Sequence, residues 1–526
     1  MTDFFKRIRV PLALLLAAAL LSSFCGCGFL YNESEISQIL ESTDPGDGGT
    51  LTKEGEKIFS LSYYTEEALD PFTSSSRTNS ELLNLCYSGL FALDENYDAV
   101  PVMAESYTVE GNSVLIRIRP EIRFSDGNRV TASDCVASYD RAARKDSVWS
   151  SRFSYIRSYD ALDGLTFRIV FRSYAPSQLN LLTVPVVRAE SISDEGFPVG
   201  CGRYSFTEES NPDLVRAWCG LVDGDFGIDR ISLLGIADRE ALIYNFNYGR
   251  LQAVCADLSL GTAEYRSDSE LVTVSTNRFT YLVVNKSRPE LADPNFSRGI
   301  TYLLDRAAIV RDACNSFASA VWSPLNPAWS VTKEADLNPD IRSVVTAAAA
   351  FDACFPVVGT DRTYEEKPVS LRLLVNRENA IRVKTAELIA DALRGVGFTV
   401  ELVSVTWDEY KIAVKNLDFD LYIGEVNLPD NMDLSALYSP NLCNTGEAEG
   451  TYDGLIASGA GVLAGTVDAR TYVSEFQESL PLIPLYYSMD ALAVSMEVVG
   501  DFGGSVSELY WGIENWKQTS GDGLSQ

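Results

Sequence analysis

Two alternating segments in the first third of the chain predict strands. Residues 165–172 and 114–118 alternate apolar and polar positions with a period of two, which is typical of strands with one buried face. Turn residues at 124–128 follow the earlier strand, and a capping box opens a helix predicted at about 131–144. Another helix is predicted at about 80–90. This part of the chain therefore predicts a small mixed unit of strands and helices.

The spacing of apolar positions changes beyond residue 369, where short apolar runs alternate with amphipathic segments. This β-α-β-α-β order predicts a mostly parallel sheet covered by helices. Ligands of such sheets lie at the carboxyl ends of the strands, which makes the loop after Gly424 a candidate site. The predicted strands are 369–375, 398–405 and 418–424, and the predicted helices are 378–394 and about 407–416.

The first residues have the parts of an export signal. Basic residues at positions 6, 7 and 9 precede an apolar run over 10–24, which is too short to span a bilayer comfortably. Two cysteines follow, and Cys27 is the better candidate for lipidation because the residue before it, Gly26, is small. The segment resembles a bacterial lipobox, with Phe24 where leucine is usual. The alternative is a plain secretory signal with incidental cysteines.

The N-terminal segments thus predict an exported protein that is tethered to a membrane. Residues 1–26 are interpreted as a lipoprotein signal peptide. Residues 27–55 are interpreted as a flexible tether, because their acidic and small residues cannot bury a core. A lipid on Cys27 would hold the chain at the outer face of the cell membrane, or in the periplasm.

Composition narrows the functional classes further. The chain has 526 residues, enough for two or three domains beyond the tether, and 46% of them are hydrophobic. Its formal net charge of −30 argues against nucleic acid as a partner, because phosphate binding needs basic patches. The charge suits a soluble extracytoplasmic protein that avoids anionic lipid.

The chain contains no histidine, which excludes Ser-His-Asp and Cys-His catalysis and histidine-ligated metal sites. Its ten cysteines include no C-x-x-C pair, so we expect no metal cluster and no cofactor. Cys201 and Cys219 flank a predicted hairpin and are candidates for a disulfide. The alternative is that they are small buried apolar residues.

Five segments, taken in chain order, resemble those of one protein family. Its patterns are P-x-L-A-E-S-W, V-K-F-S-D-G with T-A-E-D-V, G-T-G-P-Y-x-F, L-x-F-N with I-D-R-x-x-I, and I-P-L-Y. In the third segment Arg203 stands where proline is usual. The family is the peptide/nickel class of extracellular solute-binding proteins, which includes bacterial oligopeptide- and dipeptide-binding proteins. The matching residues are 101–107, 122–136, 199–206, 281–310 and 483–486.

The resemblance implies an α/β fold of the periplasmic-binding-protein, or Venus-flytrap, type with mixed sheets. Two lobes joined by a hinge close on a ligand between them, and a small extra domain is attached. Lobe II would contain the β-α-β-α-β segment that the apolar pattern predicts. The implied ranges are 56–92, 196–278 and 488–526 for lobe I, 93–195 for the extra domain and 279–487 for lobe II.

The resemblance also implies a ligand site after the third predicted strand of lobe II. Peptide-binding members have an aspartate four residues before a proline there, which pairs with the ligand amine. Glu425 occupies this position, one methylene longer, and Asn427 follows it. Tyr422 falls where the family often has tryptophan and could form an aromatic wall. The alternatives are a solvated loop acid for Glu425 and core packing for Tyr422.

Three further residues are candidate ligand contacts. Arg377 precedes a predicted helix at a position where dipeptide-binding members have an arginine that clamps the ligand carboxylate. An exposed, uninvolved arginine is the alternative. Tyr64 and Asn79 lie on the first strand-loop-helix crossing of lobe I and are candidate aromatic or backbone contacts.

The implied function is that of a monomeric binding protein for an ABC importer. Peptide capture would favour the closed state, which would then dock on a membrane permease. Another small solute such as a saccharide, a metal chelate that brings its own histidine, and a sensor lipoprotein remain alternatives. Residues 330–333 match the S-x-x-K pattern of penicillin-interactive enzymes, but no K-T-G follows. We therefore expect a binding protein and not an enzyme.

Overall fold

The computed structural model describes residues 58–193, 197–207, 213–217, 220–221, 226–256, 258, 265, 268–504 and 507–519. The predicted signal peptide, Cys27 and the predicted tether lie outside the described residues, and so does Cys219, the predicted partner of Cys201. No helix in the described part of the chain has both the length and the apolar character that a bilayer-spanning segment needs.

Short strands dominate the chain. In chain order they are β1 (Phe59–Tyr64), β2 (Phe91–Leu93), β3 (Ala99–Pro101), β4 (Ala104–Glu110), β5 (Ser113–Ile118), β6 (Ile156–Ala161), β7 (Thr166–Phe171), β8 (Tyr204–Phe206), β9 (Leu214–Arg216), β10 (Arg230–Ile236), β11 (Ala253–Ala256), β12 (Ser269–Val284), β13 (Ala318–Ala320), β14 (Val357–Val358), β15 (Asp361–Tyr364), β16 (Lys367–Pro368), β17 (Ser370–Asn376), β18 (Thr399–Val405), β19 (Leu421–Asn427), β20 (Ile483–Ser495), β21 (Val498–Val499) and β22 (Lys517–Gln518).

Helices cover these strands and connect them. In chain order they are α1 (Arg77–Cys86), α2 (Ala132–Ala142), α3 (Arg239–Asn247), α4 (Pro294–Leu303), α5 (Arg306–Asp312), α6 (Ser330–Ala335), α7 (Val344–Cys354), α8 (Ala380–Arg394), α9 (Trp407–Lys415), α10 (Asp453–Leu463) and α11 (Ala469–Ser479).

The predicted extra domain contains an antiparallel sheet of order β4-β5-β7-β6. Its central strands are the two that the alternating pattern predicts, and they bury Val114, Ile116, Phe167 and Ile169 on one face. Helix α2 packs beside this sheet and begins with the predicted capping box, in which Thr131 and the N3 residue bond reciprocally. Both predictions are confirmed.

The predicted lobe I contains a sheet of order β1-β10-β9-β8, in which β1 runs parallel to β10. Helix α1 follows β1 and begins at Arg77, so its predicted start at Ser80 is wrong. The side chain of Ser76 is the N-cap, because its Oγ accepts a hydrogen bond from the Asn79 N–H at 3.2 Å. A Cβ on Gly200 would lie 2.2 Å from the carbonyl oxygen of Cys86, so only glycine permits this chain crossing.

The largest sheet is mixed and has the order β11-β20-β12-β19-β17-β18, with β13 paired to β20. Strand β17 is parallel to β18 and β19, and α8 and α9 connect the three strands. The predicted β-α-β-α-β unit is confirmed. Its third strand, Leu421–Asn427, begins and ends three residues later than the predicted 418–424, because β12 pairs with β19 residue for residue as far as Asn427. Glu425 is consequently a strand residue and not a loop residue.

Two long antiparallel strands, β12 and β20, run from one apolar core into another. Val274 and Leu492 belong to the core that also contains β1, β5 and β7, whereas Phe279 and Tyr487 belong to a core of the predicted lobe II. The register shifts between Ser275 and Phe279, at the point where the strands change core. A bulge on strands that join two cores is a natural position for a hinge. The implied lobe boundaries fall here and stay predictions.

Candidate functional site

A cleft of about 810 Å³ lies beside this bulge. The cleft is lined by segments from the predicted lobe I, the extra domain and lobe II. They include the end of β1, the N-terminal turn of α1, a loop after α2, the first turn of α3, the bulge of β12, the end of β19 and the middle of β20. Ligands commonly bind where domains meet in this way.

A chain of alternating charges forms one wall of the cleft. Nη2 of Arg77 lies 2.6 Å from Oε1 of Glu81, and its Nε lies 3.8 Å from Oδ2 of Asp490. Arg278 also bonds Asp490. Glu81 is 1% exposed, and burial raises the pKa of its carboxyl while the charge of Arg77 opposes that rise. These pairs fix the orientation of the arginines before any ligand arrives.

A second ion pair lies where the predicted extra domain meets the loop after β19. Nη2 of Arg152 donates to Oδ2 of Asp430 at 2.5 Å, and its Nη1 donates to Oγ1 of Thr183 at 2.7 Å. The guanidinium also lies 4.5 Å above the ring of Trp149. Within the described part of the chain, the other oxygen of Asp430 accepts a single long bond of 3.4 Å from Asn277, and the side chain is 25% exposed. Asp430 therefore presents a fixed carboxylate with spare acceptor capacity.

The predicted residues of lobe I lie together at the cleft. Tyr64 lines it, at the end of β1. Asn79 is fully buried, where its Oδ1 accepts the Tyr64 N–H at 2.7 Å and its Nδ2 donates to the Tyr64 carbonyl at 3.1 Å. Asn79 consequently positions the backbone of Tyr64, while Tyr64 itself faces the cleft. From lobe II, Asn427 joins them as a lining residue at the end of β19.

Glu425 lies on β19 two residues before Asn427 and outside the set of residues that line the cleft. Its Oε1 accepts a hydrogen bond from Nη2 of Arg382 at 3.0 Å, and its Oε2 accepts one from Oγ1 of Thr280 at 3.3 Å. The side chain is 17% exposed. The structure thus gives Glu425 two partners within the predicted lobe II.

The two remaining predicted residues lie apart from the cleft. Tyr422 is 1% exposed, packs edge-on against Phe419 and accepts the Asn444 N–H on its hydroxyl at 3.1 Å. This is the core packing that stood as its alternative. Arg377 is exposed just after β17, and its N–H donates to the carbonyl of Val405 at 2.8 Å.

Ser330 and Lys333 of the S-x-x-K segment hydrogen-bond to a turn elsewhere in the chain. Oγ of Ser330 donates to Asp98 at 2.9 Å, and Nζ of Lys333 donates to Asn96 at 2.6 Å. Both side chains are thus engaged by the turn between β2 and β3, which accounts for them structurally.

None of the charged residues that line the cleft was predicted from the sequence. A signal existed for Asp490, because a carboxylate within the apolar run of β20 needs a buried partner. A weaker signal existed for Arg77 and Glu81, which are spaced for an i,i+4 pair. Arg152 and Asp430 gave none, because 278 residues separate them in the chain.

Comparisons with known proteins agree with this architecture. Residues 98–448 match the model of the bacterial extracellular solute-binding proteins, family 5. The chain is 22% identical to the oligopeptide-binding protein AppA of Bacillus subtilis over 97% of this chain and 99% of that one. It is 22% identical to the glutathione-binding protein GsiB of Pectobacterium atrosepticum over 50% of this chain, a match that spans only 54% of the relative's length.

The fold also matches solved structures. The ABC transporter substrate-binding protein CtaP of Listeria monocytogenes superposes with a TM-score of 0.69 at 16% identity, over 90% of this chain and all of that one. This likeness shows the mixed α/β periplasmic-binding-protein fold that the motifs imply. The family binds solutes, so the expectation of a binding protein and not an enzyme is confirmed. The chain belongs to the family 5 bacterial extracellular solute-binding proteins.

Proposed function

We propose that the chain captures short peptides in the cleft and delivers them to an ABC permease. The observation that carries this proposal is the Asp430 carboxylate, which lines the cleft and, among the described residues, has Arg152 as its only charged partner. A free peptide amino group is a cation with three donors, and a partly desolvated carboxylate with an open acceptor site suits it. Asp430 follows Pro429, so it lies in the segment where the sequence predicts the amine site.

The remaining wall suits the other groups of a peptide. Asn277, Asn427 and Tyr64 line the cleft, and amide and hydroxyl groups of these kinds can bond a peptide backbone. Pre-oriented arginines can bind a terminal carboxylate bidentately. A volume of about 810 Å³ falls in the range of about 300–1,000 Å³ that is usual for small-ligand sites. The ligand is therefore a peptide of a few residues.

The names of two relatives agree with a ligand of this class. One is called an oligopeptide-binding protein and the other a glutathione-binding protein. Nickel chelates are a weaker candidate, because the chain supplies no histidine.

The earlier assignments of Glu425, Arg377 and Tyr422 as ligand contacts stay predictions. Glu425 already has Arg382 and Thr280 as partners, so its carboxylate has less to offer an incoming amine than Asp430 has. Arg377 is exposed at the carboxyl end of β17 and could reach a ligand only beyond the lining of this cleft.

The proposed mechanism is capture by closure about the bulge of β12. A ligand that contacts Asp430 on one side and the arginines of lobe I on the other stabilises the closed state by its differential contacts. Lipid on Cys27 would keep the protein near its permease at the membrane surface. Labelled palmitate should enter the wild-type chain in cells and should be absent from Cys27→Ser.

Calorimetric titration tests the ligand class directly. Alanine peptides of two to five residues, an N-acetylated tripeptide and a neutral trisaccharide would be titrated into the full-length chain. We expect binding of the free peptides and a large loss of affinity for the acetylated one, which lacks the ammonium group. Binding of the trisaccharide without binding of any peptide would replace this proposal by the saccharide alternative.

A further inference from the structure

We propose that Arg239 binds a side-chain carboxylate of the ligand and makes the cleft selective for peptides of net negative charge. The inference rests on the proposed function, because it concerns the same cleft and a peptide ligand. It follows from the balance of charges on the wall of the cleft and from the position of this one guanidinium.

The lining of the cleft carries more positive than negative charge. Four arginines, at positions 77, 152, 239 and 278, face three carboxylates, at positions 81, 430 and 490. The whole chain, by contrast, has a formal net charge of −30. A local surplus of one cation against that background attracts an anionic group to the cleft.

The surplus falls on Arg239. The other three arginines each lie within 4.0 Å of a carboxylate: Arg77 of Glu81, Arg152 of Asp430 and Arg278 of Asp490. Over the described residues, Arg239 has no such ion pair, and its Nη2 is buried without a hydrogen-bond partner. A buried guanidinium nitrogen left without an acceptor is costly, and a ligand carboxylate would remove that cost.

Neighbouring groups do not supply the missing acceptor. Asp238 precedes Arg239, but it is exposed and its Oδ1 caps α3 by accepting the Ala241 N–H at 2.8 Å. Tyr64 lies near enough for the charge of Arg239 to act on it: burial raises the pKa of the phenol, and Arg239 opposes that rise. Arg239 and Tyr64 thus share one end of the cleft, on the first turn of α3 and the end of β1.

A zwitterionic peptide brings one amine and one carboxylate and leaves this surplus in place. A peptide with an additional acidic side chain neutralises it. A planar, fork-shaped donor such as guanidinium binds a carboxylate in a bidentate manner, which an ammonium group cannot do equally well. The ligand class that fits the cleft is therefore a short acidic peptide.

Three tripeptides of matched size test the inference by calorimetry with the full-length chain. They are alanyl-glutamyl-alanine, alanyl-glutaminyl-alanine and alanyl-lysyl-alanine. We expect wild type to bind the glutamyl peptide about tenfold or more tightly than the glutaminyl one, since a hydrogen-bonded charge pair is formed only with the former. The lysyl peptide should bind most weakly.

The variants assign that preference to one residue. Arg239→Gln should abolish it, Arg239→Lys should retain part of it, and Arg311→Gln, which changes a 64% exposed arginine outside the cleft, should retain all of it. No preference in wild type, or an equal loss for all three peptides in Arg239→Gln, overturns the inference and leaves the proposed function intact. Failure of wild type to bind any of the three overturns the proposed function together with the inference.

Discussion

Nη2 of Arg152 lies 2.5 Å from Oδ2 of Asp430, and this pair joins the predicted extra domain to the loop after β19. Three more bonds support the junction: Tyr155 to Asp433 at 3.0 Å, Asn431 to Gln178 at 3.2 Å and Asn180 to the carbonyl of Asp430 at 2.9 Å. The carboxylate proposed to receive the ligand amine is thus held in place from outside its own lobe. Ligand binding and lobe closure are therefore expected to depend on the same loop.

Replacing Asp430 should weaken peptide binding more than any neutral change nearby. Asp430→Asn removes the acceptor charge and should cost about 2–5 kcal/mol in binding free energy, measured by calorimetry with a short peptide. Asp453→Asn, at the exposed start of α10 in the predicted lobe II, is the matched control and should bind normally, because Asp453 neither lines the cleft nor belongs to this junction. Equal affinity of Asp430→Asn and wild type would exclude Asp430 as the amine site.

Titrating the free and the N-acetylated tripeptide into both wild type and Asp430→Asn gives a thermodynamic cycle. Wild type should bind a free tripeptide much more tightly than its N-acetylated form, whereas Asp430→Asn should hardly distinguish the two. A difference that persists unchanged in the variant would place the amine against another carboxylate.

Closure can be probed without touching the cleft. Tyr155→Phe removes the hydroxyl that bonds Asp433, a hydrogen bond to a charged group worth about 1.5–3 kcal/mol. Part of that loss should appear as weaker apparent affinity, and small-angle scattering should show a more open ligand-free ensemble. Unaltered scattering and affinity would mean that the junction persists in the open state.

Glu425→Gln separates the two candidate amine sites. Because Glu425 is paired with Arg382, its loss should lower the free energy of unfolding by about 1–3 kcal/mol and change peptide affinity little. Denaturant unfolding and calorimetry on the same samples check both expectations. An affinity loss as large as that of Asp430→Asn would assign the amine to Glu425, as the family resemblance implies.

Glu81 gives a prediction for pH dependence. Its folded-state pKa is raised by burial, so the folded state holds the proton more tightly than the unfolded state does. The contribution of Glu81 to stability is then full below the ordinary glutamate range and is lost as pH rises through the raised pKa. The unfolding free energy of wild type minus that of Glu81→Gln should fall as pH rises above the ordinary glutamate range. A difference that rises with pH would show that Arg77 outweighs burial.

The fold was largely predictable because its signals are local. Periodicity located β5 and β7, and the order of strands and helices over 369–424 predicted the parallel part of the large sheet. The end of β19 was not predictable, since Asn427 remains in the strand only through pairing with Arg278. Pairing of this kind with a strand distant in the chain cannot be predicted from the sequence of the segment itself.

The site was less predictable, because its charges converge from distant segments. Tyr64 was predicted from the strand-loop-helix crossing that contains it and Asn427 from the family resemblance, and both residues line the cleft. Asp430 lies five residues beyond Glu425, and its proposed role depends on Arg152, which the predicted extra domain supplies. The family resemblance pointed to the segment that contains Asp430, but it could not identify which acid of that segment lines the cleft.

Native mass spectrometry of the freshly purified full-length chain tests the central claim most directly, since a closed binding protein retains its ligand. The account predicts adducts whose masses and fragment spectra are those of short peptides, and their loss from Asp430→Asn but not from Asp453→Asn. Adducts that fragment as saccharides, or peptide adducts that persist fully in Asp430→Asn, would contradict it.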